Sequence, residues 1–173
     1  QPASLMTTRG AGRNILYYDV TDSTNLRIKQ AGDEGAPHGT LAVADQQTAG
    51  RGRRGRTWES PAGSSIYMSI LLRPEIAPNK ASMLTLVMAL SVAEGIRQCI
   101  SQPGCPSLQI KWPNDVIING KKLAGILTEM SSQIDYINHV TIGVGINVNM
   151  TDFPEEIAQT ATSLRIECGL TVK

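Results

Sequence analysis

The sequence lacks several features that would place it in a specialised class of protein. Its three cysteines form no C-x-x-C pair and are odd in number, so neither a disulfide framework nor a zinc site is predicted, and a reducing cytoplasm is favoured. No apolar run approaches the ~20 residues that a membrane-spanning helix needs, and the N-terminus has no signal-peptide core. We therefore expect a cytoplasmic protein with no membrane partner.

The chain also lacks a strong net charge, internal repeats and low-complexity segments. Its 173 residues are 41% hydrophobic and 18% charged, with a net charge of +1. A length of this order predicts one domain that buries roughly 70% of its unfolded surface. Near-neutral net charge argues against general nucleic-acid binding, because basic residues are balanced by acidic ones elsewhere.

Positive charge is nevertheless concentrated in one stretch, residues 46–56, which read QQTAGRGRRGR. Arginine offers a forked donor that matches carboxylate or phosphate, and glycine lets the backbone approach a ligand closely. An RNA-binding tail or a solvated charged loop are the competing interpretations. A tail is disfavoured, because an apolar segment at 41–43 precedes the stretch and Trp58 follows it.

The pattern of apolar and turn-forming residues predicts strands and helices in alternation with hairpins. Strands are expected at 14–20, 40–46, 66–72, 108–111, 116–118, 121–130 and 136–150. Helices are expected from 23 to 32, from 79 to 100 as the main core helix, from a start at 153–156, and as a short turn at 163–168. Asn119 and Gly120 between two strands predict a hairpin. This order favours an α+β fold with a mixed sheet flanked by helices.

Several residues outside the arginine-rich stretch suit polyanion chemistry. Asp115 is a potential magnesium ligand, Asn147 a polar anchor, and Lys121 or Lys122 a phosphate partner. The plainer interpretations are a turn residue at Asp115 and a solvated hairpin at the lysines. Neighbouring lysines on a strand point to opposite faces, and the two faces are comparably apolar, so the residues alone do not choose between them.

Five segments together resemble the catalytic domain of biotin protein ligases, a family that includes biotin–[acetyl-CoA carboxylase] ligases and holocarboxylase synthetases. They are STN at 23–25, QQTAGRGRRGRTW at 46–58, KWPNDV at 111–116, KKLAGIL at 121–127 and GVGINV at 143–148. The resemblance extends over about residues 14–169. It implies a mixed, largely antiparallel sheet flanked by helices, similar to class II aminoacyl-tRNA synthetases.

The resemblance also implies a reaction in two steps that uses biotin, ATP and Mg²⁺. Biotin and ATP would give biotinyl-5′-AMP and pyrophosphate, and a lysine of a biotin carboxyl carrier domain would then accept the biotinyl group. The implied catalytic residues are Lys122, Arg53 and Asp115, with Asp115 also the magnesium ligand. The implied nucleotide-binding residues are Arg53, Arg54, Trp58, Lys111, Asn114 and Asn147. The implied biotin-binding residues are Ser23, Thr24, Asn25, Gln47, Gly50, Arg51, Arg53, Lys122, Gly125, Gly143 and Gly145.

The sequence departs from the family pattern at both ends. Residues 1–13 are expected to be a flexible lead-in, too short for the helix-turn-helix domain of many bacterial relatives, so no DNA partner is predicted. Residues 14–173 are expected to form the catalytic domain without the long helix and small β-barrel that follow in relatives. A homodimer is a further expectation. The alternatives are a lipoate or octanoate ligase of the same superfamily and a non-catalytic RNA-binding module.

Overall fold

The computed structural model describes residues 8–100 and 104–171. Most predicted elements are found close to their expected positions. The strands are β1 (Ile15–Thr21), β2 (Leu41–Gln47), β3 (Ser65–Leu72), β4 (Leu108–Lys111), β5 (Asp115–Ile118), β6 (Lys121–Ser132) and β7 (Ile137–Asn147). The helices are α1 (Thr24–Asp33), α2 (Met83–Cys99) and α3 (Leu164–Cys168), with short 3-10 turns at Arg53–Gly55 and Pro78–Lys80.

The seven strands form one mixed sheet in the order β1-β2-β3-β7-β6-β5-β4. Strands β1 and β2 are parallel and are joined through α1, whereas the remaining neighbours in the sheet pair antiparallel. A parallel pair needs a crossover connection, and a helix is the usual one. The predicted α+β fold with a mixed, largely antiparallel sheet is therefore confirmed.

Helices cover the two faces of the sheet at different places. Helix α1 packs against β2, β3 and β7, where Ile28, Ala42 and Leu71 are fully buried. Helix α2 packs against β4, β5 and β6 over a larger core that includes Ala89 and Val140. Because side chains alternate along a strand, β3 supplies Leu71 to the first core and Ile70 and Leu72 to the second.

Local sequence signals account for where several elements begin and end. Ser23 and Ser163 are the N-cap residues of α1 and α3, and α3 ends at Gly169 with a left-handed φ of 67°. Asn119 and Gly120 have φ values of 49° and 76° between β5 and β6. Positive φ at both central residues is typical of the tight turn that suits a two-residue hairpin. The predicted hairpin is confirmed.

Two helix predictions are wrong in part. The segment after Phe153 forms successive turns over residues 155–160 and no helix. Its hydrogen bonds include Ile157 N–H to the carbonyl of Pro154, and they do not continue as a helical ladder. Helix α2 begins later than expected, and Met83, Val87 and Leu90 on it are 57–60% exposed. Helical periodicity identifies an apolar face, but only packing determines which part of it is buried.

The prediction that the cysteines form no disulfide is also wrong. Cys105 and Cys168 are bonded, with their Cα atoms 4.8 Å apart and a separation of 63 positions in sequence. Cys99 is free and exposed. Tertiary packing brings α3 beside the connection from α2 to β4, which no sequence spacing indicates. The cysteine pattern consequently gives no support to the predicted reducing compartment.

The N-terminal lead-in is only partly within the described residues. Residues 1–7 lie outside them, and within 8–13 the N–H of Gly12 donates to the carbonyl of Gly39 at 2.9 Å. Ala11 is buried. The part of the lead-in nearest β1 is thus packed on the domain. Among the described residues, no helix has the length and apolar character that crossing a membrane requires.

Candidate active site

The arginine-rich segment folds back on itself as a narrow turn. Arg51 and Thr57 form an antiparallel bridge, and Gly52 N–H donates to the Arg56 carbonyl at 2.7 Å. Arg54 at the tip has a left-handed φ of 57°. The side chains of Arg53, Arg54 and Arg56 are exposed, so the turn presents three guanidinium groups at its outer end.

Backbone hydrogen bonds attach this loop to the start of α1. The N–H groups of Thr48 and Ala49 donate to the carbonyls of Thr21 and Asp22 at 2.8 and 2.9 Å. Burial by itself raises the pKa of Asp22. Hydrogen bonds from Ser23 N–H and the Thr21 hydroxyl, together with the charge of Arg27, outweigh this effect, so the pKa lies below its usual value. Asp22 is therefore ionised where the chain enters α1.

A first, narrow cavity of about 40 Å³ lies between the start of α1, the loop and the middle of β6 and β7. Thr24 and Gln47 meet there, because the Thr24 N–H and hydroxyl both donate to Gln47 Oε1, at 2.9 and 3.1 Å. Gln47 Nε2 donates to Ser60 Oγ at 2.9 Å, and Ser69 Oγ lies 2.8 Å from Thr24 Oγ1. Ser23 makes no side-chain cap bond to α1 and lines the cavity instead.

The glycines of β6 and β7 leave room for side chains that border this cavity. A Cβ atom on Gly143 would lie 2.1 Å from Asn25 Oδ1, and one on Gly145 would lie 2.4 Å from the indole of Trp58. Gly125 is likewise covered by Trp58. Glycine within a strand allows a close approach to the backbone, and in this structure Asn25 and Trp58 make that approach.

A second cavity of about 260 Å³ adjoins the first. Its walls combine the outer part of the loop with the irregular segment that follows β7. Apolar side chains form one side, and charged and amide groups form the other. The apolar side consists of Met150, Phe153, Ile157 and Ala161, and the polar side includes Arg53, Arg54, Arg56, Glu59, Asn114, Asp115, Lys122 and Asn147.

The two cavities share Gly52, Arg53, Trp58, Asn114 and Lys122. Lys122 Nζ forms an ion pair with Asp115 Oδ1 at 2.9 Å and lies 5.3 Å from the centre of the Trp58 ring. A cation held over an indole face and beside a carboxylate has a restricted orientation. The place where the two cavities meet, called the junction below, is therefore lined by the Lys122 ammonium and by the exposed side chain of Arg53.

A β-bulge explains why Lys122 faces the site. Simple alternation groups Lys122 with Ala124 and Ile126, which lie in the core under α2. The register of β5 and β6 shifts, so that Val116 pairs with Ala124 but Ile117 pairs with Lys122. A bulge of this kind redirects a side chain, and here it places Lys122 beside Asp115.

Most of the predicted site residues line one or both cavities, but two do not. Gly50 and Lys111 are absent from both linings, and Lys111 is exposed on the edge strand β4. Asn114 and Asn147 line the second cavity while their Nδ2 atoms donate to the carbonyls of Ile126 and Thr162 at 3.0 Å. Among the residues that the structure describes, no group of three carboxylate, histidine or cysteine side chains is arranged to hold a metal.

Sequence reasoning missed residues of two kinds. The apolar wall formed by Met150, Phe153 and Ile157 has no motif. Met150 ends the predicted strand 136–150, and Phe153 begins the predicted helix. Buried Ser60 and Ser69 and the partly exposed Glu129 contact residues of the first cavity. Alternation along β6 could have found Glu129, because it shares a strand face with Gly125.

Comparison with known proteins assigns the fold to a family. The model of the biotin/lipoate A/B protein ligase family matches residues 17–147. The bifunctional ligase/repressor BirA of Bacillus subtilis is 45% identical over 166 residues, which are 95% of this chain and 50% of that protein. The biotin–[acetyl-CoA-carboxylase] ligase of Mycobacterium tuberculosis is 39% identical over 90% of this chain and 57% of its own length. The chain spans about half the length of these relatives.

Solved structures agree with the sequence relatives. The biotin protein ligase of Aquifex aeolicus in complex with biotin and ATP is 37% identical, with a TM-score of 0.77 over 93% of this chain and 63% of that one. The Leishmania major biotin protein ligase in complex with biotinyl-5-AMP is 26% identical, with a TM-score of 0.72 over 88% of this chain and 64% of that one. The chain belongs to the biotin/lipoate A/B protein ligase family.

Proposed function

We propose that this domain carries the active site of an ATP-dependent biotin protein ligase. The observation that carries the proposal is the pair of adjoining cavities that share Lys122, Arg53 and Trp58. Biotinyl-AMP has two dissimilar halves joined by an acyl-phosphate. A polar cavity and a larger, partly apolar cavity with cations at their junction match those halves and the bond between them.

The first cavity suits the ring of biotin. Its fused ring carries one carbonyl and two N–H groups, which need donors and acceptors that are already oriented. Thr24 and Gln47 are oriented by their mutual hydrogen bonds, and the Ser23 hydroxyl lies beside them. We assign these three residues to recognition of the ring, and Asn25 with Gly143 to the wall beside it.

The second cavity suits the adenosine and phosphate groups of ATP. Met150, Phe153 and Ile157 offer an apolar surface to the base, and Arg53, Arg54 and Asn147 offer donors to the polar groups. Trp58 separates this cavity from the first. The role of Lys111 stays a prediction, since its side chain lies on the outer edge of the sheet.

Formation of the adenylate brings the biotin carboxylate against the α-phosphate, and both groups are anionic. Fixed cations at the junction lower this repulsion and stabilise the charge that develops on the phosphate oxygens. Lys122 and Arg53 occupy the junction, and the ion pair with Asp115 holds the lysine there before substrate enters. We assign the transition-state charge stabilisation to Lys122.

Mg²⁺ is part of this proposal as the usual companion of ATP. Magnesium is commonly held by one or two carboxylates together with substrate phosphates and water, which does not require a built protein cage. Asp115 is a hard oxygen donor that lines the larger cavity with 22% of its side chain exposed. It is the residue that would hold the ion, which supplies charge neutralisation to the phosphates when bound.

The second half-reaction needs a neutral amine. A lysine of a carrier domain must lose a proton before its Nζ attacks the acyl carbon of the adenylate, whereupon AMP leaves. Asp115 is the carboxylate next to the junction and is the proposed proton acceptor. The acceptor protein is proposed to be the biotin carboxyl carrier domain of a carboxylase, and the site of action the cytoplasm.

Titration calorimetry tests the proposal directly. Biotin alone is expected to bind, and addition of ATP with Mg²⁺ is expected to release pyrophosphate and leave tightly held biotinyl-AMP. Folded protein that binds no biotin would refute the proposal. Lipoate or octanoate binding in place of biotin would indicate the other branch of the family, and salt-dependent RNA binding without a response to biotin would indicate a binding module.

A further inference from the structure

Glu129 on β6 contacts two separate parts of the first cavity without lining either cavity itself. Its Oε1 atom lies 3.1 Å from Arg51 Nη2, and its Oε2 atom accepts a hydrogen bond from Asn25 Nδ2 at 2.9 Å. Arg51 belongs to the arginine-rich loop, and Asn25 belongs to the first turn of α1. One carboxylate therefore joins the loop to the helix across the edge of the proposed biotin cavity.

The Asn25 side of this contact is fixed by the core. Asn25 is 4% exposed, its Oδ1 accepts from Ser69 Oγ at 2.6 Å, and its amide fills the space above Gly143. The amide orientation is set because Oδ1 faces a hydroxyl donor and Nδ2 faces a carboxylate. Asn25 therefore fixes the Oε2 atom of Glu129, and the Oε1 atom remains available to pair with Arg51 of the loop.

The Arg51 side of the contact is the more exposed one. Arg51 is 43% exposed, and two glycines flank it. The loop has its own bridge from Arg51 to Thr57, but its remaining guanidinium groups repel one another. Among the described residues Glu129 is the carboxylate that forms an ion pair with an arginine of this loop.

We propose that Glu129 is a positioning residue that holds Arg51, and through it the loop, over the biotin cavity. This inference rests on the proposed function, since it assigns a role within the same site. Glu129 does not touch the reacting atoms. Its effect should be larger on biotin, whose cavity Arg51 itself lines, than on ATP, whose cavity is lined by Arg53 and Arg54 of the same loop but not by Arg51.

Two substitutions separate the two contacts. Glu129→Gln keeps an amide oxygen for Asn25 but removes the charge that pairs with Arg51, whereas Glu129→Ala removes both contacts. Partly exposed ion pairs contribute modestly, so Glu129→Gln is expected to raise the KM for biotin by about threefold to fivefold. Glu129→Ala is expected to have a larger effect, because Asn25 Nδ2 then loses the nearer of its two acceptors and keeps only the Leu127 carbonyl at 3.4 Å. Glu94→Gln, which breaks an exposed pair with Arg97 on α2, is the matched control.

Hydrogen exchange of the ligand-free protein gives a readout that does not depend on activity. Amides of residues 50–57 are expected to exchange about threefold to fivefold faster in Glu129→Gln than in the parent or in Glu94→Gln, with an unchanged melting temperature. A double-mutant cycle with Arg51→Gln should show that the two effects are not additive.

The inference and the proposed function fail in different ways. Parent protein that neither binds biotin nor forms the adenylate refutes the proposed function, while faster loop exchange in Glu129→Gln would still establish the contact to Arg51. Unchanged loop exchange and an unchanged KM for biotin in Glu129→Gln overturn the inference alone. Equal increases in the KM values for biotin and ATP, accompanied by a lower melting temperature, would also overturn it in favour of a general structural role.

Discussion

The two cavities of the candidate site are built in different ways. The first is small and is bounded by regular elements whose polar side chains bond to one another, as Thr24 does with Gln47. The second is several times larger and is bounded by the outer part of the loop and by the turns after β7. In the proposed function, the contrast predicts a preorganised cavity for biotin and a more adaptable one for ATP. Preorganised polar groups favour specificity, because a wrong ligand leaves them unpaired.

The largest effect is expected at the junction where the two cavities meet. Lys122→Ala should reduce the rate of adenylate formation by ~10²- to 10³-fold while leaving biotin affinity nearly unchanged, because a charge-stabilising group acts mainly in the transition state. Pyrophosphate release measures the rate, and calorimetry measures the affinity. Lys121→Ala is the neighbouring control. A damaging Lys121→Ala together with a harmless Lys122→Ala would show that the bulge does not direct the relevant lysine.

The rigidity of the first cavity is tested at Gly143. Gly143→Ala places a Cβ 2.1 Å from Asn25 Oδ1, so the Asn25 amide must move and lose its bond from Ser69. Overpacking of this kind costs about 1–3 kcal/mol. Biotin affinity is expected to fall by roughly tenfold to a hundredfold.

Gly95→Ala is the control for this substitution, because a Cβ there meets open space on α2. It should be neutral or stabilising, since alanine is the better helix former by up to about 1 kcal/mol. Biotin affinity in Gly143→Ala equal to that of the parent would mean that the first cavity adapts as readily as the second.

The second cavity is tested through its apolar wall. Phe153→Ala should raise the KM for ATP by about tenfold, which corresponds to about 1.4 kcal/mol, and should leave biotin binding unchanged. Ile134→Ala, at a side chain that is 94% exposed, is the control. Steady-state kinetics with each substrate varied in turn separate the two effects. A loss of biotin affinity equal to the loss for ATP would remove the distinction between the cavities.

The smallest effect concerns the start of α1, which supports the first cavity. The pKa of Asp22 is lower in the folded state than its ordinary value. The ionised carboxylate therefore adds stability above the unfolded-state pKa, and that contribution is lost as the pH falls through the folded-state pKa. Because 42% of the side chain is exposed, Asp22→Asn should lower the free energy of unfolding at pH 7 by only a few tenths of a kcal/mol.

Urea unfolding at pH 7 and again below the folded-state pKa of Asp22 measures this difference. The parent and Asp22→Asn should converge at the acidic pH, where the parent carboxylate is protonated as well. A difference that persists unchanged at low pH would assign the effect to packing and not to charge.

Sequence patterns located most of the elements, and they failed where burial or contact was needed. The hairpin at Asn119 and the start of α1 near Ser23 depend on local backbone preferences, so they were predicted correctly. The exposure of Val87 on α2 depends on which elements cover that helix. The prediction of a helix after Phe153 was wrong, because this segment forms separate turns whose hydrogen bonds do not continue as a helical ladder.

In the candidate site too, residues with a local sequence motif were predicted, and residues that depend on tertiary contacts were not. Motifs indicated Arg53, Asp115 and Gln47, because residue types with suitable chemistry recur there in a specific order. They gave no indication of Glu129 or of the apolar wall, since neither has a signature of its own and both depend on neighbours distant in sequence.

The sequence by itself determined the strands, the hairpin turn, the arginine-rich loop and the family resemblance, because each depends on residues close together in the chain. Only the tertiary structure decided which side chains occupy the space above Gly143 and Gly145 and that Cys105 meets Cys168, and it gave the physical reason why Lys122, the lysine that the resemblance implies, faces the site. Lys122 reaches Asp115 through a register shift between two strands, and Asn25 reaches Glu129 across 104 residues. Such contacts depend on packing between distant segments, which local propensity and periodicity do not specify.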